Sequence, residues 1–198
     1  MYWLAPSPDV SGKEPNFATW ENGFSESEIS NVISLGEARS PADGIVGGGA
    51  NAVKDEIVRK SQVSWIEHSN DTSWLYDKLA WIARNLNGQF FKFDLAGFAE
   101  PFQYTVYRNG GDHYDWHIDK GEIGGAVPRK LSLVIQLTDP SEYEGGDFEF
   151  LMGNNPTKME RRKGLVVAFP SWVLHRVTPV TAGTRRSLVV WTGGPSFK

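Results

Sequence analysis

The chain of 198 residues contains no cysteine, which excludes disulfides, thiolate metal sites and a cysteine nucleophile, and leaves His, Asp and Glu to hold any metal. It also lacks an excess of positive charge. At a formal net charge of −4 there is no broad cationic field, so nucleic acid and anionic membrane are disfavoured as partners, while a peptide, protein or small-molecule substrate stays open. Long apolar runs are missing too. No segment approaches 18 uninterrupted apolar residues, and the opening MYWLAPSPDVSGKE has neither a basic start nor a hydrophobic stretch. No membrane association and a cytoplasmic location are therefore expected. Histidine is scarce, at four residues, so any cluster of them carries information.

The chain does have 21 glycines and 11 prolines, too many breakers for an all-helical protein. Its length suits one domain, with residues 1–100 as helical and loop support and 101–192 as a strand-rich core. Two helices are predicted. Ser25 and Glu28 have capping-box spacing ahead of Ile29, Val32 and Ile33, with Gly36 near the end. From about Asp71 to Asn87, Leu75, Leu79, Ile82 and Leu86 share a face, with Asp71 or Thr72 as cap and Gly88 as stop. Between them PADGIVGGGANAVKDE, residues 41–56, reads as a mobile surface loop, either a lid or simply irregular chain. Beyond residue 89, PFQYTVYR, the alternating Leu131, Leu133, Ile135 and Leu137, the alternating Phe148, Phe150 and Met152, GLVVAFP and RRSLVVWTG all read as strands. The expected fold class is mostly β with supporting helices (α+β), a double-sheet core buttressed on one side.

The segment YRNGGDHYDWHID is the most informative. In extended backbone, residues two apart point the same way, so His117 and Asp119 can present an imidazole and a carboxylate to one ion. His113 and Asp115 repeat that spacing, and parity alone does not choose between the pairs. A third ligand is available at His175, in FPSWVLHRVTPV. Two histidines and one carboxylate form the facial triad of non-haem iron(II) oxygenases, with positions left for exogenous ligands. Ten residues after His175 comes Arg185. If 2-oxoglutarate binds the metal through its keto acid end, its distal carboxylate needs a fixed cation, and the planar guanidinium suits that role. Ser187 falls on the same strand face and adds a hydroxyl, while Arg186 points the other way. Each of these residues alone has a bland reading, as surface arginine or structural histidine; their joint occurrence carries the signal.

With these residues in view, Phe102 to Trp191 resembles the prolyl 4-hydroxylase-like branch of the 2-oxoglutarate/iron(II) dioxygenases. Tyr107, Gly111, Tyr114, His117 and Asp119 take the places of the aromatic, glycine-turn and HxD positions, which favours His117 and Asp119 over the upstream pair. RKLSLVIQLTDPSEYEGGDFEF resembles the core strand, turn and GG-acidic strand, and HRVTPVTAGTRRSLVVW the closing motif. The resemblance implies a double-stranded β-helix (jelly roll), Fe(II) on His117, Asp119 and His175, 2-oxoglutarate on Arg185 with Ser187 and Tyr107 assisting, and O2 and ascorbate as further reactants. It implies hydroxylation of a C–H bond with release of succinate and CO2, on a prolyl residue of a peptide or protein, or alternatively on a free amino acid or small metabolite. A catalytically silent jelly-roll binding protein and a nucleic-acid demethylase are the rival readings. Trp116, Trp172, Tyr104 and Phe102 are candidates for the entrance, each with core packing as its alternative. Arg161, Arg162 and Lys163 read as a guide for acidic substrates or as a solvated turn.

Overall fold

The computed structural model describes residues 15–46, 53–98, 100–120 and 127–196. Fourteen strands and two α-helices are assigned among them. In chain order these are β1 (Ala18–Trp20), α1 (Glu26–Glu37), β2 (Ala42–Asp43), β3 (Arg59–Lys60), β4 (Gln62–Ile66), α2 (Ser73–Leu86), β5 (Gly97–Phe98), β6 (Phe102–Arg108) and β7 (His113–His117). There follow β8 (Arg129–Gln136), β9 (Tyr143–Gly145), β10 (Phe148–Leu151), β11 (Pro156–Lys158), β12 (Val166–Pro170), β13 (His175–Val177) and β14 (Val180–Gly193).

The strands form two antiparallel sheets. The larger runs β1-β12-β8-β14-β6-β4-β2, with β5 and β9 pairing β14, and the smaller runs β11-β10-β13-β7-β3. Residues before 101, read from the sequence as helical and loop support, thus also give strands to both sheets. Their strands are short pieces of two to five residues, too brief for an alternating pattern to register.

Alternation along the central strands divides the interior in two. Leu131, Leu133 and Ile135 on β8, and Leu188 and Val190 on β14, pack with Ile29, Val32, Leu75, Leu79, Ile82 and Leu86 of the two helices. The opposite face of the same sheet sends Val134, Val167 and Phe169 against Phe148, Phe150 and Val177 of the smaller sheet. This second core lies between the sheets, as in a jelly roll. The site described below opens from it.

The helices follow local chemistry with two departures. Ser25 and Glu28 make the reciprocal capping box that opens α1, and Gly36 does fall in its last turn. There, however, glycine is needed for closeness: a Cβ at Gly36 would lie 2.3 Å from the Tyr104 ring. Thr72 is the N-cap of α2 without capping through its side chain, because its hydroxyl donates to Glu67 O at 2.7 Å. Gly88 does not stop α2. The chain continues through a π-turn over Asn87–Phe91 and ends at Lys92 in left-handed conformation, φ 55°, held by Asn87, whose Oδ1 accepts from Phe93 N at 2.9 Å.

Of the glycine-rich stretch 41–56, residues 47–52 lie outside the described residues. Its flanks are ordered by pairing, Ala42 with Val63 and Val46 with Val53, which departs from the irregular loop expected there. No helix among the described residues is long and apolar enough to cross a membrane.

Candidate metal and oxoacid site

His117 ends β7 and His175 opens β13, and the two are register partners across the smaller sheet. From that pair to the next, Tyr114 opposite Val177, β7 uses three residues where β13 uses two, so a bulge lies between them. One extra residue reverses the parity of everything upstream. Tyr114 therefore shares the inward face with His117, their rings stacked at 3.5 Å and 12°. His113 and Asp115 are turned away. Both ring nitrogens of His113 face backbone carbonyls, Gly111 O at 2.8 Å and Ile57 O at 2.9 Å, and Asp115 is exposed and accepts from the Trp116 amide. Gly110 and Gly111, with φ 98° and 88°, form the reversal between β6 and β7 that an L side chain would strain.

Asp119 lies two residues past the end of β7. Its carbonyl accepts from Arg129 Nη1 at 3.3 Å, and the next amide, Lys120 N, donates to Ser171 O at 2.7 Å. This tethered turn brings Asp119 Oδ1 to 3.9 Å from His117 Nε2 and Oδ2 to 3.7 Å from His175 Nε2. One ligand atom from each of the three residues lies within 4.8 Å of the others. In both histidines Nδ1 faces a main-chain carbonyl, Asp115 O at 2.7 Å and Val173 O at 2.8 Å. A ring nitrogen facing a carbonyl must donate, so each Nε2 is left with its lone pair directed at the shared centre, the arrangement metal-ligating histidines need.

The electrostatics agree with that geometry. Burial and the neighbouring His175 push the His117 imidazolium down to about 3, so it is neutral at physiological pH. Burial pushes the Asp119 carboxyl up, but His175, His117, Ser132 and Trp191 together outweigh it and hold the group ionised. Yet Asp119 Oδ2 and Trp191 Nε1 are both buried without a partner at hydrogen-bonding distance among the described residues. An orphaned carboxylate oxygen beside two free imidazole lone pairs is costly unless a cation sits among them. The donor set fits a hard or borderline divalent metal such as iron(II).

Arg185 lies deeper, 1% exposed. It pairs across the sheet with Tyr107, whose ring centroid is 5.3 Å from its Cζ, and burial pushes the Tyr107 phenol up. Arg185 Nη2 donates to Gln136 Oε1 at 3.0 Å and Nη1 to Ser187 Oγ at 3.5 Å, while Nε has no partner among the described residues. No carboxylate among the described residues pairs with it. Gly146 makes room: its φ is 61°, and a Cβ there would stand 3.0 Å from Arg185 Cδ.

His117, Asp119, His175, Arg185, Ser187 and Tyr107 all line one cavity of about 640 Å³. The sequence brings forward these six and misses others on the same wall. Gln136, not itself a lining residue, orients Arg185 but reads as the polar alternate of a strand. Arg129 is clamped by both oxygens of Glu100 and stacks over Trp191 at 3.7 Å; Arg59 sits beside Tyr114. Arg129 opens an otherwise buried strand, whereas Arg59 stands on a two-residue strand with no pattern to read. The expected entrance aromatics are not at the cavity. Phe102 and Tyr104 belong to the helix-side core because β6 presents them to α1 and α2, Trp116 stacks under Arg176, and Trp172 packs near Phe93. Arg161, Arg162 and Lys163 are engaged by Asp147, by Glu21 and Glu160, and by Glu26 respectively, a solvated turn rather than a guide.

Two antiparallel sheets thus enclose a His-Asp-His cluster and a buried arginine. Residues 102–193, a little under half of the chain, match the model of the 2OG-Fe(II) oxygenase superfamily. A PKHD-type hydroxylase of Teredinibacter turnerae is 36% identical over 97 residues, 46% of this chain and 42% of that protein. One of Sphingopyxis alaskensis is 33% identical over 102 residues, 50% and 46% of the two chains. The chain matches less than half the length of these relatives. In fold it is similar to a Pseudomonas putida prolyl-4-hydroxylase, with TM-score 0.68 at 20% identity over 91% of this chain and 94% of that one. It is also similar to a prolyl hydroxylase of Trichoplax adhaerens in complex with a hypoxia inducible factor oxygen degradation domain peptide fragment, with TM-score 0.70 at 17% identity, covering 90% and 83%.

Proposed function

We propose that the protein is an Fe(II)- and 2-oxoglutarate-dependent dioxygenase that hydroxylates a prolyl residue in a peptide or protein. The observation that carries this reading is the sharing of one cavity by two complementary deficits: a metal-shaped set of free Nε2 and carboxylate donors, and a buried arginine lacking an anion. A metal satisfies the first and an oxodiacid bound to it satisfies the second. His117, Asp119 and His175 would hold iron, Arg185 would fix the distal carboxylate of 2-oxoglutarate through its planar donors, and Ser187 and Tyr107 would flank that end. Iron(II) with 2-oxoglutarate and O2 supplies the oxidising chemistry, in which the co-substrate loses CO2 to become succinate and the substrate gains a hydroxyl group.

The residues of the chain do the rest. Gln136 holds the Arg185 fork, so little ordering is left to do when the oxoacid arrives. Phe148, Phe150 and Phe169 wall His175 at ring distances of 5.8, 6.2 and 4.7 Å, and exclude water from one side of the centre. A peptide is favoured over a free amino acid by the rim. Ile45, Trp65 and Ile118, each at least two-fifths exposed, extend apolar surface outward from the cavity, and the similar Trichoplax enzyme was solved with a peptide.

The test is succinate formation from 2-oxoglutarate with Fe(II), ascorbate and proline-containing peptides, beside calorimetric Mn(II) binding. His175→Ala should abolish both turnover and tight metal binding. Arg185→Ala should keep metal binding and raise the 2-oxoglutarate concentration needed by at least about tenfold. Normal turnover in His175→Ala, or an unchanged 2-oxoglutarate requirement in Arg185→Ala, overturns the assignment.

A further inference from the structure

The cavity holds a second buried arginine for which the proposed reaction has no use. Arg59, on β3, is 6% exposed and lines the same cavity as the metal ligands. Three contacts fix its guanidinium. Nε donates to Ser61 Oγ at 2.9 Å, Nη1 to Ile45 O at 3.3 Å, and Cζ lies 4.5 Å over the Tyr114 ring. That ring is the one stacked on His117, so a single aromatic plane separates Arg59 from a metal ligand. Nη2 is buried and has no partner among the described residues.

Of the other charged groups lining the cavity, Lys120 is exposed to solvent, and the remainder have partners or roles already described. Arg129 is paired with Glu100, Asp43 on the rim is held by Lys54 at 2.7 Å, and Arg185 and Asp119 face the proposed co-substrate and metal. None of the described carboxylates lies in ion-pair contact with Arg59. A buried guanidinium with neutral partners keeps both an unmet N–H and an uncompensated charge. A peptide carbonyl would meet only the first deficit, whereas a carboxylate meets both. A Cβ at Gly44 would stand 2.6 Å from Ser61 Oγ and 2.7 Å from Arg59 Nε, so the backbone packs closely against the arginine and helps to fix it.

We propose that Arg59 is a specificity residue that binds a carboxylate of the primary substrate, placed beside the carbon to be hydroxylated. This rests on the oxygenase reading for the identity of the reaction, but not for the binding itself. The carboxylate can come from an acidic side chain next to the target proline or from the α-carboxylate of a terminal or free proline.

The test uses the full chain loaded with Mn(II) and 2-oxoglutarate, and titrates two matched peptide pairs by calorimetry. The first pair is blocked at both ends and carries Glu or Gln after the proline; the second ends in proline as free acid or as amide. Free L-proline is a fifth ligand. We expect the acid of at least one pair to bind about tenfold or more tightly than its neutral twin, and the pair that discriminates identifies the source. In Arg59→Met that ratio should fall towards one, and in Arg59→Lys, the variant to use if the first does not fold, it should fall part way. Failure of both acids to bind better than their twins in the wild type overturns the proposal, as does a ratio that survives in Arg59→Met. Succinate release separates the two readings. Equal turnover of acid and neutral peptides sinks the role of Arg59 and leaves the oxygenase standing, whereas acid-selective binding without any succinate sinks the oxygenase and leaves Arg59.

Discussion

His117 shows how a buried titratable group ties stability to pH. Its imidazole is held neutral, about 3 against an ordinary 6.5, first by burial and then by His175. Unfolding restores the ordinary value, so below about 6.5 the unfolded chain binds a proton that the folded chain refuses. Stability is then complete above about 6.5 and falls as the pH drops toward about 3, by up to about 1.4 kcal/mol per pH unit. Urea midpoints of the metal-free protein in EDTA should decline from pH 6.5 to 5, and His117→Gln should flatten that decline. A wild-type midpoint constant over this range would contradict it. Histidine and arginine identities were legible in the sequence, but their partners were not. The choice of His117 over His113 came from resemblance, since spacing treats them alike; the physical reason is the bulge in β7, one unpaired residue that leaves no mark in the alternation. Arg59 leaves no mark in the sequence for a related reason: a two-residue strand has no pattern from which to infer an inward side chain.

At the scale of elements, the helices were the most legible because their apolar spacing, capping box and burial all agree. What escaped was the difference between a glycine that stops a helix and one that lets it approach a neighbour. Gly36→Ala separates the two. On propensity alone alanine would stabilise α1 by up to about 1 kcal/mol. Its Cβ, however, would fall within the Tyr104 ring's contact radius at 2.3 Å, and overpacking of this kind costs about 1–3 kcal/mol. We expect net destabilisation, read as a lower urea midpoint with unchanged m-value. The partner ring cannot withdraw easily, since Tyr104 is fully buried and its hydroxyl donates to Glu37 Oε1 at 2.9 Å. A higher midpoint would show that α1 shifts freely over β6. Gly88 is the converse case: its position predicts a stop, yet the π-turn passes through it because Asn87 organises the exit.

For the molecule as a whole, folding and ligand binding draw on the same residues. A fold that buries an orphaned Asp119 oxygen and an unpaired Arg185 carries two penalties that ligands relieve, so metal and 2-oxoglutarate should stabilise it by mass action. At about a hundredfold excess over the dissociation constant the gain is about 2.7 kcal/mol, which for a chain of this size raises the melting temperature by roughly 5–10 °C. Differential scanning fluorimetry with Mn(II) and then 2-oxoglutarate should show two additive increments. Arg185→Ala should lose the second and keep the first; the absence of any increment with both ligands would count against the site. The double-sheet architecture was readable from repeated short apolar runs, whereas the contribution of the first hundred residues to both sheets was not. Strands such as β2 and β3 are specified by their partners across the sheet, not by their own composition.

Along β14, Arg185, Ser187, Val189 and Trp191 all line the cavity, while Leu188 and Val190 between them belong to the helix-side core. At about 3.3 Å per residue, the strand works as a ruler, with buried Arg185 at one mark and Trp191, under the Arg129 guanidinium, at another, roughly 20 Å apart. Such a ruler tolerates relabelling but not recutting. A substitution changes one mark, whereas a single inserted or deleted residue would send everything beyond it to the wrong side, exposing leucine to the cavity and burying an arginine among the helices.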